Sequence, residues 1–237
     1  MNLKRIKLEL FHLRKAFSQY HQLRRYIRNR FILNRKILGF LGTFERPQTH
    51  DNLSIHTMLG HQHVLMALWS LASFYAVSKS IGKLYLHSDG TLTADDTRIL
   101  QKFFPSAELV DPVGVLTQYA DKFSQYPEIR DFRVKYKKNF FQTKLIDPFV
   151  ISDRDIRLFF DIDILWFQNS ELIENEIRNN CPHSYMMTGT FSDEEGDPNA
   201  NTVYFKDGSK LPATFSSFNG GIMLYHKKNF PADKLTE

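Results

Sequence analysis

The chain has 237 residues, 42% hydrophobic and 14% aromatic with 21 Phe and 10 Tyr, which is enough apolar material for a buried core and excludes a disordered or low-complexity chain. Its single cysteine, Cys181, excludes an internal disulfide, a zinc ribbon and an iron–sulfur cluster, and fits a reducing compartment. The net charge of +5 is uneven: residues 1–40 hold eleven Lys and Arg against one acid, Glu9, a net +10 that leaves the remainder at −5.

Residues 1–45 read as a basic amphipathic helical arm. Leu3, Ile6, Leu10, Leu13, Phe17 and Tyr20 recur at spacings of three and four, and Leu23, Ile27 and Phe31 continue the stripe among Arg and Lys. Such a helix rests on an anionic membrane surface or packs its stripe on the domain or a partner helix, and the pattern is the same for both. A nucleic-acid footprint belongs on the folded domain rather than on an arm, so no nucleic-acid partner is expected. No apolar run of about eighteen residues lacks charge and no apolar segment follows the basic start, so neither a transmembrane helix nor a signal peptide is expected. The expected location is cytoplasmic, with peripheral contact to the inner face of a membrane through residues 1–40.

Residues 46–237 form the second region, where strands and helices alternate. A strand over 53–58 runs into Leu59-Gly60, an apolar helix covers 62–79, and a strand over 84–87 ends in the turn Ser88-Asp89-Gly90. Thr93, with Asp95 and Asp96 behind it, caps a helix to Phe104. A third strand covers 107–111, and 114–147 is mostly helical. The run 157–163 (Arg-Leu-Phe-Phe-Asp-Ile-Asp) is a fourth strand, too apolar for a sheet covered on one face only. Residues 192–201 are a polar loop, suited to a lid, and Phe218–Tyr225 is a further buried strand entered through Gly220 and Gly221. Alternation of this kind predicts an α/β fold with a parallel sheet covered on both faces and ligands at the carboxyl ends of its strands.

Asp161-Ile162-Asp163 is the sharpest chemical signal. Residues two apart on a strand share a face, so both carboxylates are expected to meet at the sheet edge. Adjacent, partly buried carboxylates are costly without a counter-charge, which a hard divalent cation supplies; the alternatives are a solvated strand end or a salt bridge to Arg154 or Arg157. His61 and His63 stand two apart at a helix start, do not share a face, and are rejected as a ligand pair.

Phe141-Gln142-Thr143-Lys144-Leu145, Arg157 through Leu165, Glu171-Leu172 and Phe218-Asn219-Gly220-Gly221-Ile222-Met223 together resemble the core of the GT-A glycosyltransferases, in order and spacing the glycogenin and lipopolysaccharide-galactosyltransferase type. Gly220 stands where those relatives have Ser. The resemblance, over roughly residues 53–230, implies a GT-A (Rossmann-like), mixed, mostly parallel sheet and a retaining hexosyltransferase. Its donor would be a nucleotide-sugar, UDP-linked, held with Mn²⁺ or Mg²⁺, and its acceptor a glycan or other hydroxyl in cell-surface polysaccharide or glycoconjugate synthesis. It further implies Asp161 and Asp163 as metal ligands, with Asp161 touching ribose or sugar, Lys144 near the diphosphate, and His56, Thr57 and Met58 bordering the nucleobase. Asn219 would face the transferred sugar, Gly220 and Gly221 would let the backbone approach it, and Asp89 or Asp111 would face the nucleotide, a turn or cap role being the alternative. Such relatives carry a further acid and a metal-binding His after the Asn-Gly strand, and no histidine follows His226; the sequence is therefore expected to be a fragment.

Other readings compete. A non-catalytic nucleotide-binding remnant of such an enzyme fits the same motifs. A haloacid-dehalogenase-type phosphohydrolase also ends an apolar strand in Asp-x-Asp, but Leu165 stands where that family has Thr or Val and three strands precede the motif. A nucleotidyltransferase needs a glycine-rich phosphate loop, which Leu59-Gly60-His61 is not.

Overall fold

The computed structural model describes residues 3–135, 140–188 and 218–230. The chain divides into two compact units, Met1–Gly42 and Thr43–Glu237. Among the described residues no helix is long and apolar enough to cross a membrane.

The first unit is a helical hairpin. Helix α1 (Leu3–Ser18) is followed by α2 (Leu23–Ile27), a π-helical segment (Arg28–Leu33), α3 (Asn34–Lys36) and a short 3₁₀ turn (Ile37–Gly39). The sequence stripe predicts one continuous helix; the chain instead turns back at His21, whose φ of 50° leaves the helical region. Ser18-Gln19-Tyr20-His21-Gln22 supplies only one apolar position to hold a helix there. Across the hairpin Glu9 accepts hydrogen bonds from Tyr26 Oη at 2.9 Å and Arg30 Nη2 at 3.2 Å.

The second unit is built on a six-stranded sheet. Its elements are β1 (Leu53–Leu59), α4 (Val64–Val77), β2 (Lys83–Ser88), α5 (Ala94–Phe103), β3 (Glu108–Val110), α6 (Val115–Gln118), α7 (Ala120–Ser124), α8 (Pro127–Lys135), α9 (Phe140–Ile151), β4 (Ile156–Phe160), α10 (Glu171–Arg178), β5 (Tyr185–Thr188) and β6 (Phe218–His226). The order across the sheet is β3-β2-β1-β4-β6-β5. The first four strands are parallel, while β6 runs antiparallel to both β4 and β5. The carboxyl ends of β1 to β4 and the amino end of β6 therefore share one edge.

Both faces are covered. Tyr85 packs into a cluster with Val115, Phe123, Ile129, Ile146 and Phe149, so α6 to α9 lie on its side. On the other side Phe160 meets Phe74 of α4 at 5.1 Å and Trp166 at 5.3 Å. The α/β layers covered on both faces are those the alternation predicts; the sheet itself is mixed, mostly parallel and Rossmann-like, with β6 antiparallel to its neighbours. The helix capped at Thr93 forms as expected: its hydroxyl accepts from the Asp96 N–H and the Asp96 carboxylate accepts in return, a complete capping box.

Strand β4 stops at Phe160, three residues earlier than predicted. Asp is a poor strand former, and the Ile164 N–H donates to the Asp161 carbonyl at 3.2 Å, closing a turn over 161–164. Arg157 lies within the sheet, not at its carboxyl edge. Its buried guanidinium donates to the carbonyls of Pro148, Phe149, Ser152 and Asp155 at 2.8–3.1 Å, the first two being acceptors in the last turn of α9 that the helix leaves open.

His56 and His87 meet inside the core between β1 and β2, sharing a hydrogen bond of 3.0 Å, while His56 Nε2 meets Ser54 Oγ at 2.9 Å. Burial holds His56 well below the usual histidine range and drives His87 down to about 3. The unfolded chain protonates both rings below about pH 6.5 whereas the folded chain does not, so stability rises with pH up to that value and is lost as pH falls below it. The pair is expected to steepen acid unfolding by up to about 2.7 kcal/mol per pH unit. Urea midpoints at pH 7 and pH 5 should converge in His87→Gln relative to the native chain; an equal drop in both would refute this.

Candidate functional site

A cleft of about 310 Å³ opens at the carboxyl edge of the parallel strands. The end of β1 gives it Met58, Leu59 and Gly60, and the start of α4 gives His63 and Met66. Asp89 enters from beyond β2, Lys144 from α9, and Asp161, Ile162 and Asp163 from the turn after β4.

Each charged group is positioned by its own local structure. The Asp89 N–H donates to the Leu59 carbonyl at 2.9 Å, tying the two strand ends together. The Asp89 Oδ1 accepts from the Thr91 N–H at 2.8 Å and from the Thr91 hydroxyl at 2.5 Å. Gly60 leaves room for that carboxylate: a Cβ there would fall 2.0 Å from Asp89 Oδ2. Its φ of −130° suits any residue, so the space and not the backbone asks for glycine. The Asp161 N–H donates to the Gly221 carbonyl at 2.8 Å, which ties the turn to β6. Lys144 Nζ forms an ion pair with Asp161 Oδ1 at 2.5 Å, both side chains being half-buried, and stands over the Phe159 ring at 5.4 Å. Asp163 is exposed, and no ion pair reaches it or Asp89 among the described residues.

Three carboxylates against one ammonium leave the cleft with two negative charges in excess. Among the described residues no three His, Cys, Asp or Glu converge closely enough to hold a metal by themselves. The donor set is all oxygen and favours a hard cation of the Mg²⁺ or Mn²⁺ kind. Such ions are commonly held by one or two carboxylates, with water and substrate phosphate completing the shell. The residues present fit that arrangement: Asp163 is exposed with no ion pair among the described residues, and Asp161 shares its carboxylate with Lys144.

Several expectations need correction. Asp161 and Asp163 lie in a turn, not on one strand face, because the strand ends before them. The counter-charge on Asp161 is Lys144 and not an arginine, since Arg157 is engaged with backbone carbonyls. His56 and Thr57 do not border the cleft: β1 runs on to Leu59, which leaves both fully buried inside the sheet, and only Met58 of the three reaches the opening. Asp111 accepts the Gly114 N–H at 2.9 Å, a local turn role. Gly220 and Gly221 stand at the amino end of β6, neither lining the cleft, and among the described residues a Cβ on Gly220 would meet nothing within 4 Å. Asn219 is paired across from Met187 on β5, and its side chain lies outside the described residues, as does the acidic loop 192–201. His61 and His63 part company: His61 Nδ1 meets Asp96 Oδ2 at 2.7 Å, while His63 faces the cleft. The Cys181 thiol is buried, and burial, then Glu176, push it up to about 11, far from a nucleophile's range.

Sequence reasoning missed Leu59, Gly60, His63 and Met66 as cleft residues. The glycine directly after an apolar strand was the available signal for the first two. The helix periodicity gave none for Met66, which sits on the apolar α4.

No protein-family model matches the chain, and no curated protein does. Among solved structures, the apo crystal structure of mouse xyloside xylosyltransferase 1 is similar at 14% identity and a TM-score of 0.47, over 80% of this chain and 72% of that one. That likeness is too distant to bear weight.

Proposed function

We propose that the chain is a metal-dependent glycosyltransferase that moves a sugar from a UDP-linked donor to a hydroxyl of a glycan or other acceptor, with retention of configuration, in cell-surface polysaccharide or glycoconjugate synthesis. The observation that carries this reading is the cleft itself: an excess of carboxylate beside one lysine, at the carboxyl edge of parallel strands where phosphate-bearing ligands bind in open α/β sheets. The motif blocks around Lys144, Asp161 and Gly221 support it.

In this reading Asp163 and Asp161 hold the cation, whose chemistry is to neutralise charge on the departing diphosphate. Lys144 presents its ammonium to the same phosphates, held in reach by its pairing with Asp161. Met58, Leu59 and Met66 give the cleft apolar walls that accept a flat base. Gly60 keeps the Asp89 carboxylate pressed against the strand end, where it can meet a ribose hydroxyl. Gly220, beside which the described residues leave space where a side chain would be, gives room for the sugar. Catalysis is then electrostatic and positional, and no side chain of the cleft is assigned as a general base.

Calorimetric titration with UDP tests this. Binding that requires Mn²⁺ is the expected result. A folded chain that binds UDP equally without metal, or not at all, would remove the reading. Binding followed by no transfer to any sugar acceptor would favour the non-catalytic remnant.

A further inference from the structure

The hairpin unit carries a surface that the cleft chemistry does not use. Large apolar side chains stand in water on both of its arms: Leu10, Phe11 and Phe17 on α1, and Ile27, Phe31 and Ile32 after the turn, with Phe17 at 66% and Ile32 at 57% exposure. Single exposed apolar residues are ordinary, but six within 23 residues of one small unit are not. Exposed bases surround them: Lys7, Arg14, Lys15, Arg24, Arg25 and Arg28, with Arg35 and Lys36 beyond. The unit's one acid, Glu9, is turned inward to Arg30 and Tyr26 and offsets none of that outer charge.

We propose that this hairpin docks on an anionic lipid surface, with its apolar side chains below the headgroups and its arginines and lysines among them. The inference is independent of the glycosyltransferase reading. It is the combination that selects the occupant. A polynucleotide would take the bases and leave Leu10, Ile27 and Ile32 in water, whereas a lipid interface satisfies both classes of side chain at once. The long stems of Lys and Arg lie along the apolar layer while their charges stay at the headgroups. A single basic helix would present one stripe. The turn at His21 doubles this into two arms, which widens the footprint without lengthening the unit.

The test is sedimentation of the whole chain with vesicles of phosphatidylcholine alone and of phosphatidylcholine mixed with phosphatidylglycerol. Binding to the mixed vesicles, weakened by salt and absent from the neutral ones, is expected. The double variant Phe17→Ser/Phe31→Ser should bind at least about tenfold more weakly with an unchanged melting temperature, both rings being exposed. Arg24→Glu/Arg28→Glu should also lose binding. No sedimentation with the mixed vesicles overturns the proposal, and so does undiminished binding by the phenylalanine variant. Polyuridylate binding without vesicle binding overturns it in favour of RNA. Concentration-dependent self-association abolished by the phenylalanine variant, again without vesicle binding, overturns it in favour of a second copy of the chain.

Discussion

Replacing Asp163 with asparagine is expected to abolish metal-dependent UDP binding and to lower sugar transfer by about a thousandfold, which corresponds to about 4 kcal/mol of lost stabilisation. The melting temperature should be unchanged. Asp163 is exposed and has no ion-pair partner among the described residues, so the fold does not depend on its charge. Asparagine keeps the shape and one carbonyl oxygen, so any loss reads out charge. Asp161→Asn is the informative comparison. It removes the same charge, but it also releases Lys144 from its partner, so it should weaken binding of UDP even where no metal is added. If Asp163→Asn transfers sugar at the native rate, the metal-ligand assignment fails.

The second large effect is structural. Arg133 of α8 and Asp147 of α9 form a two-pronged ion pair, Nε to Oδ1 at 2.9 Å and Nη2 to Oδ2 at 3.1 Å. Their side chains are 0% and 1% exposed. Burial pushes the Asp147 carboxyl up while Arg133 holds it down, and the former is the stronger influence. A pair this deep is costly to break from one side, because the surviving charge is left in an apolar interior. Asp147→Ala should therefore cost about 3–5 kcal/mol and lower the melting temperature by on the order of 10 °C. The joint replacement Arg133→Met/Asp147→Leu removes both charges and should recover most of that loss. Should the double variant melt as low as the single one, the pair would be a source of net stability and not a matched cost. Because α9 also carries Lys144, the single variant is expected to impair the cleft as well.

Much of this architecture was legible in the sequence, and the reasons differ by element. The apolar run before Asp161 could only be a strand buried on both faces, and Thr93 with Asp96 could only open a helix. These are local signals, read from neighbours in sequence. The end of β1 was misplaced because Leu53 to Leu59 is apolar or neutral throughout, so nothing local says which residue is the last in the sheet. The resemblance, not that end, put the expected nucleotide contacts on His56 and Thr57, which the sheet in fact encloses. Strand β5, only four residues of Tyr-Met-Met-Thr, was not foreseen, because its pairing to β6 is what makes it a strand. The break at His21 was hidden for a similar reason: spacing shows that residues are fit for a common face, not that the helix beneath them is unbroken. The pairing of Lys144 with Asp161 joins residues 17 apart in sequence and needed the crossing of α9 and β4 to be seen.

The four carbonyls held by Arg157 have a consequence for how the molecule breathes. To unravel the end of α9, or to detach β4 from beneath it, would strip a buried guanidinium of acceptors it can replace only with water. Each opening alone therefore carries the cost of the guanidinium's lost acceptors, and helix end and strand are expected to exchange their amide hydrogens together, as a block. Lys144 and Asp161 ride on the two halves of that block. Thermal fluctuation can loosen the hairpin arm or the outer strands, yet the spacing between this lysine and this carboxylate persists until the block itself opens.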